Sequence, residues 1–308
     1  MSISPYSVRN YKPADFDKYV LLTIDAEKLE PTGRCISSHV LSEYLCRPNY
    51  SPQQDLFIVE TAGNTVGYMD ITTEQNIGRI ILNFFIYPDH RNHSLSSILV
   101  DYAMHRAKEL GVRVAHVNIL QDDIVAKSVI SVLGFKPVRR FLQLGLDISQ
   151  VRWQDIDQDC LLYRHFQRGD EEKLTQIQNR SFAGTWGYNP NTVEEINYLV
   201  NLTNFSPEDI VLAWDGAKFI GYCWTRTVCK ADSEERIGQV LMLGVNPDYQ
   251  CRGVGKGVLL AGLSHMKDKG LQFVELTLDN KNKAAYNLYL SVGFKIQTSS
   301  LWYEKRIG

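Results

Sequence analysis

The hydrophobic pattern is sharpest between residues 239 and 270. Val240-Leu-Met-Leu-Gly-Val245 is too uniformly apolar for a half-exposed strand. It reads as a buried strand, stopped by Pro247, which cannot donate to a ladder. The spacing then turns helical: Val258, Leu259, Gly262, Leu263 and Met266 form a stripe that opens just after Gly253 and closes before Gly270. Gly253 and Gly255 are thereby predicted at a helix N-terminus.

The same succession of apolar and polar positions occurs twice. Ile86-Tyr-Pro88-Asp-His-Arg91-Asn-His-Ser94-Leu-Ser96 superposes on Val245-Asn-Pro247-Asp-Tyr-Gln250-Cys-Arg-Gly253-Val-Gly255 at a constant offset of 159. At that offset Gly111 meets Gly270, Ala126 meets Ala285, and Gly134-Phe135 meets Gly293-Phe294. Upstream, Val66-Gly67-Tyr68 matches Ile220-Gly221-Tyr222 at an offset of 154, which places the extra residues of the second copy around Lys230 to Arg236. Each copy predicts strand, helix pair, three antiparallel strands, helix, strand, helix, strand. In the first these lie near 5–11, 13–28 with 36–46, 55–61, 65–74, 77–87, 94–110, 112–119, 123–133 and 135–146. In the second they lie near 160–167, 170–183 with 191–201, 209–214, 217–229, 235–246, 253–269, 271–278, 282–291 and 293–304. Gly63-Asn64 and Asp215-Gly216 mark hairpin turns. The expected fold is mixed α/β, a mostly antiparallel sheet flanked by helices, in two tandem domains of residues 1–147 and 159–308 joined by a polar linker, 148–158.

Composition narrows the classes. A 308-residue chain, 44% hydrophobic and 22% charged with a net charge of −2, is ordinary globular material without a basic footprint for nucleic acid or an anionic membrane. Met-Ser-Ile-Ser-Pro lacks a charged and apolar leader, and no apolar run approaches the ~18 residues of a membrane span, so a cytoplasmic protein is expected. Cys35, Cys46, Cys160, Cys223, Cys229 and Cys251 form no Cys-x-x-Cys pair and no zinc spacing with histidine. They read as reduced thiols, and no metal is expected.

A helix N-terminus offers unpaired N–H groups and the positive end of the dipole, and glycine lets an anion approach them. Gly253-x-Gly255 fits a phosphate on those grounds, but it is neither the three-glycine dinucleotide fingerprint nor a Walker loop. The whole element, hydrophobic-Val-x-Pro-x-x-Gln-x-x-Gly-x-Gly, resembles the acetyl-coenzyme A motif of the GNAT acetyltransferase superfamily. Asn280-Lys-Asn282-Lys-Ala284-Ala285-Tyr286-Asn-Leu-Tyr289-Leu-Ser-Val-Gly293-Phe294 is similar to that family's Asn-x-x-Ala-x-x-x-Tyr-x-x-x-Gly-Phe helix and turn. The tandem arrangement, with the better-preserved motifs in the second copy, most resembles the mycothiol synthase family, and that resemblance spans essentially the whole chain.

The resemblance implies an acetyl-coenzyme A-dependent N-acetyltransferase acting on a primary amine, a small molecule in the first instance. The amides of Leu243 and Val245, with Gly244 between them, would meet the acetyl carbonyl and pantetheine. Gln250, Cys251, Arg252, Gly253, Val254, Gly255 and Lys256 would hold the pyrophosphate. Tyr289 would protonate the departing thiolate, and Asn280, Asn282 and Tyr286 would contact the cofactor. Each has a plainer reading: Tyr289 as a packed core aromatic, Asn280 and Asn282 as a turn and an N-cap.

One position departs from the family. Many members carry a glutamate base six residues before the motif valine, where this chain has Gln239, and an amide accepts no proton at neutral pH. Gln239 positions a water or the substrate, or Glu234, Glu235 or Glu275 takes the proton, or the amine arrives neutral. The loop Phe182-Ala-Gly-Thr-Trp186-Gly-Tyr188-Asn-Pro190 resembles a segment of tandem members above the acceptor site. Trp186 and Tyr188, with Tyr222, are the candidates to line that pocket; Trp186 and Tyr188 also read as a clamp holding the loop to the sheet.

In the first copy both loop glycines are serines, Ser94 and Ser96, Ile130 stands for Tyr289, and Ile80 stands for Gln239. The first copy is therefore expected not to catalyse, but to buttress the second. Phe84, Ile86, Arg91, Ser94 and Ser96 mark a possible second coenzyme A site. A non-catalytic acyl-coenzyme A sensor is the rival reading, and oligomeric state stays open.

Overall fold

The computed structural model describes residues 5–30, 36–153, 161–229 and 236–308, without the side chains of His93 and Cys229. They separate into two compact units, one of residues 1–139 with 300–308, the other of residues 140–299.

In the first unit β1 (Tyr6–Asn10), α1 (Phe16–Leu29), α2 (Ser38–Leu45) and a one-turn α3 (Pro52–Asp55) precede β2 (Leu56–Thr61), β3 (Asn64–Glu74) and β4 (Arg79–Ile86). Then come α4 (His93–Glu109), β5 (Val114–Leu120), α5 (Ile124–Val132) and the opening of β6 (Lys136–Asp147). Strands run β1-β2-β3-β4-β5, antiparallel except for the β4–β5 pair. Ala62 and Gly63 both take positive φ, 48° and 81°, as a two-residue turn in a twisted hairpin requires; the turn falls one residue earlier than expected. Leu95, Leu99 and Ala103 of α4 and Ile130 of α5 bury one sheet face, while Tyr19 and Leu41 of α1 and α2 cover the other with Leu56 and Ile58.

The second unit repeats the plan with β7 (Leu162–His165), α6 (Glu171–Ser181), α7 (Val193–Val200), β8 (Ile210–Asp215), β9 (Lys218–Cys229) and β10 (Arg236–Val245). It continues through α8 (Val254–Asp268), β11 (Phe273–Asp279), α9 (Lys283–Val292) and the first part of β12 (Lys295–Arg306). The helical stripe of the sequence is the buried face of α8: Val258, Leu259, Leu263 and Met266 pack with Val240, Val274, Leu276 and Tyr289. Leu174, Ile177 and Ile196 of α6 and α7 cover the opposite face with Tyr222 and Trp224.

The predicted fold class is observed, but the compact units differ from the repeats at their last strands. Phe141–Asp147 of β6 runs antiparallel to β11 and completes the second unit's sheet. Ser300–Arg306 of β12 runs antiparallel to β5 and completes the first. Each repeat thus gives its final strand to the other unit, where the sequence expectation kept 135–146 and 293–304 at home. Alternation of Leu142, Leu144 and Leu146 demands a core on one side of a strand and says nothing about which neighbour supplies it.

Among the described residues, no helix is long and apolar enough to cross a membrane. Cys46, Cys223 and Cys251 are free thiols, and burial pushes the Cys223 thiol up to about 12. Cys35 and Cys160 lie outside the described residues.

Candidate active site

The site grows from a defect in β10. Its pairing with β9 runs from Arg236 opposite Cys229 to Val245 opposite Gly221, with a register shift between Val240 and Met242. Leu241 is the extra residue, 39% exposed, and the strand bends there. On its other edge β10 pairs with β11 only through Gly238, Gln239 and Val240. Beyond Val240 that edge, carrying Leu243 and Val245, has no partner strand among the described residues, so its backbone groups must find partners elsewhere. In the first unit β4 pairs with β3 at eight consecutive positions without a shift.

The loop after β10 ends at α8, where Gly253 is the N-cap in the left-handed region with φ 82° and no side-chain cap. A Cβ on Gly253 would meet nothing within 4 Å, and one on Gly255 would only touch Leu288 and Val245. Cys251 also holds positive φ, 59°, unusual for a residue with a Cβ. The amides of Val254 and Gly255 lie in the first helical turn, where no intrahelical acceptor exists; the Gly257 amide, donating to the Gly253 carbonyl at 3.0 Å, closes that turn. Gln250 donates to the Val245 carbonyl at 3.3 Å, and Arg252 lies over the Tyr249 ring, with both side chains at the surface.

The matching helix end of the first unit is closed by its own side chains. Asn92 accepts from the Leu95 amide at 2.8 Å, and the Ser94 and Ser96 hydroxyls bond to the Asn92 side chain and carbonyl. Arg91 donates to the Ile86 carbonyl at 2.8 Å and pairs with Glu30. Phe84 is half-buried. The polar groups expected for a second cofactor site are thus engaged within the chain, and Ile130 is sealed in the core where α9 has Tyr289.

Tyr289 is 7% exposed, edge-on to Phe294, and burial holds its phenol protonated well past the usual range. Asn282 caps α9 by accepting from Ala285 at 3.1 Å, while the Asn280 amide donates to the Arg140 carbonyl at 3.0 Å. Tyr286 is half-buried with Lys283 over its ring. On the α6 side Tyr222 is fully buried against Gly244. The Tyr222 hydroxyl, the Ser181 hydroxyl and the Gln178 amide nitrogen are buried polar atoms with no hydrogen-bond partner among the described residues. The sequence does not single out Ser181 and Gln178, because an amphipathic helix pattern carries no mark of a buried polar position.

Tyr188 stacks on Phe182 at 5.1 Å and donates to Asn179 at 2.8 Å, and Trp186 lies edge-on to Phe141 at 5.9 Å. Both aromatics therefore clamp the loop, and burial pushes the Tyr188 phenol up to about 12. Gln239 accepts from Arg226 Nε at 2.8 Å. Its register partner on β11 is Glu275, which accepts from Gln143 Nε2 at 2.8 Å. Glu234 and Glu235 lie outside the described residues.

Comparisons with known proteins agree with this fold. Mycothiol acetyltransferase of Amycolatopsis mediterranei is 29% identical over 78% of this chain and 81% of its own. The structure of a GCN5-related N-acetyltransferase from Sphaerobacter thermophilus superposes with a TM-score of 0.74 at 18% identity, covering 100% of this chain and 97% of that one. A tandem GNAT protein from the clavulanic acid biosynthesis pathway gives 0.74 at 12%, covering 98% and 99%. The model of the acetyltransferase (GNAT) family matches residues 26–135 and 171–294, once in each copy of the repeat, and the chain therefore belongs to the GNAT acetyltransferase family.

Proposed function

We propose that the second unit is an acetyl-coenzyme A-dependent N-acetyltransferase for a primary amine of a small molecule, and that the first unit does not catalyse. The observation that carries this reading is the uncapped N-terminus of α8 following a strand edge left without a partner beyond Val240. A diphosphate fits the first: Val254 and Gly255 open a helix without a side-chain cap, no Cβ fills the approach, and the dipole favours an anion. A pantetheine arm fits the second, because the amides of Leu243 and Val245 lie on a strand with one edge available. The relative from Amycolatopsis mediterranei is named for acetylating a small molecule, which favours a small acceptor here.

Acetyl-coenzyme A would supply an activated acetyl thioester. The chain's part is positioning and charge. Gly253 to Lys256 hold the diphosphate end, the Leu243 amide donates to the carbonyl oxygen as it gains negative charge, and Tyr289, kept neutral by burial, supplies a proton to sulfur. The buried hydroxyls of Ser181 and Tyr222 at Gly244 offer hydrogen bonds to the acceptor.

The test is thiol release from acetyl-coenzyme A with a panel of primary amines, run beside Tyr289→Phe. Release with at least one amine, lowered roughly 100-fold or more in the variant, is expected. Coenzyme A binding without release for any amine would make the protein an acyl-coenzyme A sensor instead.

A further inference from the structure

We infer that Glu275, one strand over from the family's usual position, is the general base of the second unit. The inference rests on the acetyltransferase reading above. Its starting point is the register: Gln239 and Glu275 are opposite each other in the three-residue β10–β11 pairing that ends where β10 bends away. Val240 of β10 and Val274 and Leu276 of β11 all point into the α8 core. Strand alternation then puts Gln239 and Glu275 together on the opposite face. Gly244 with Tyr222 and Ser181 lies on that same face.

The surroundings divide the two roles. Gln239 Oε1 accepts from Arg226, so the amide has its NH₂ left to donate and no proton to take. Glu275 is half-buried. Gln143 holds one of its oxygens at 2.8 Å, leaving the other for a proton. The groups on the strands beside it are Gln143 and Gly145 of β6 and Gln239 of β10, all neutral, with Arg226 the cation beyond Gln239. Gln143 comes from the first repeat, which makes that repeat a contributor to the reaction and Gln143 a positioning residue.

The proton balance closes. Glu275 takes one proton from the acceptor ammonium, directly or through water, freeing the lone pair that forms the C–N bond. The C–S electron pair leaves with sulfur, which is protonated by Tyr289. The second nitrogen proton restores Tyr289 through solvent, and the proton on Glu275 leaves to bulk, so one proton is released per transfer.

The experiment measures kcat, KM and pH dependence in the full chain for wild type, Glu275→Gln, Gln239→Ala and Gln143→Ala, with coenzyme A affinity and melting temperature as controls. Glu275→Gln should lower kcat at neutral pH roughly 100-fold. The deficit should shrink steadily as alkaline pH delivers the amine already neutral, with coenzyme A affinity unchanged. Gln143→Ala should shift the acid limb of the profile with a smaller loss of kcat, an effect that mere loosening of a strand would not produce. If wild type transfers acetyl groups and Glu275→Gln keeps its kcat and acid limb, the assignment of the base is wrong while the acetyltransferase reading stands. A wild-type chain inert towards every amine overturns both.

Discussion

Gly244 of β10 lies against Tyr222 of β9 so closely that an added Cβ would stand 2.4 Å from the tyrosine ring and 3.1 Å from Ser181 Cβ. The two are register partners, so neither can retreat along its strand. The equivalent pair in the first unit is Phe85 and Tyr68, whose rings are 6.2 Å apart, and there the Phe85 side chain fills the space over the strand. Glycine at 244 lets Tyr222 and Ser181 close down on bare backbone next to the unpaired edge. Gly244→Ala should cost roughly 1–3 kcal/mol by overpacking and abolish turnover. Urea unfolding and thiol release read the two effects, and an unchanged midpoint would mean the Tyr222 ring swings aside freely.

The loop glycines separate conformation from approach. Gly253 sits at φ 82°, so alanine there costs about 1 kcal/mol of backbone strain, although its Cβ would meet nothing. Gly255 has no such φ, and a side chain there meets Leu288 at an ordinary 3.4 Å. Replacing both by serine copies Ser94 and Ser96 of the first unit. Coenzyme A should then bind at least tenfold more weakly by calorimetry, since a side chain crowds the anion, while the melting temperature falls only a few degrees. Wild-type affinity in that double variant would mean that the α8 amides do not grip the diphosphate.

Much of this was legible in the chain. The apolar run at 240–245, the stripe of α8 and the glycine at its start located both the strand and the helix entry, because periodicity and left-handed backbone are local properties. The register shift at Leu241 is not legible, since a continuous apolar run looks the same with or without an extra residue. Gly244 within that run was the available signal, as glycine in a strand often marks a bulge or a close backbone approach. The exchange of final strands had no signal at all, and with it the contacts of Gln143 to Glu275 and of Phe141 to Trp186 stayed out of reach. Partner choice between equivalent edges is set by the chain's path, not by the alternation of Leu142, Leu144 and Leu146.

Acid stability should depend on Asp209, which accepts from His265 at 3.0 Å and from Lys269 at 2.7 Å, tying α8 to the entry of β8. Burial pushes this carboxyl up, but the His265 and Lys269 donors outweigh it and hold it below the usual range. A depressed folded pKa gives stability that is present above the unfolded value of about 3.9 and lost as pH falls through the folded one. Asp209→Asn should therefore cost about 1–3 kcal/mol at neutral pH and flatten the acid arm of the stability curve. Urea midpoints taken from pH 7 down to pH 3 check this, and parallel curves for the two proteins would remove Asp209 from the account.

Deleting residues 1–149 should leave no folded second unit. Phe141 to Asp147 pairs with β11 at seven consecutive positions, and Leu142, Leu144 and Leu146 are 4%, 0% and 1% exposed in the core that holds Tyr289 and Phe294. Burying three leucines is worth on the order of 5–9 kcal/mol, which rivals the whole stability of an ordinary domain at about 5–15 kcal/mol. Their loss would also bare an apolar face beside a long unpaired edge, a template for aggregation. A fragment of residues 150–308 should show no cooperative melting by circular dichroism and no coenzyme A binding. Beginning the fragment at Lys136 should restore both, because the strand returns with its leucines and Gln143. Cooperative, cofactor-binding behaviour from 150–308 alone would show that the second unit stands without the strand it receives from the first repeat.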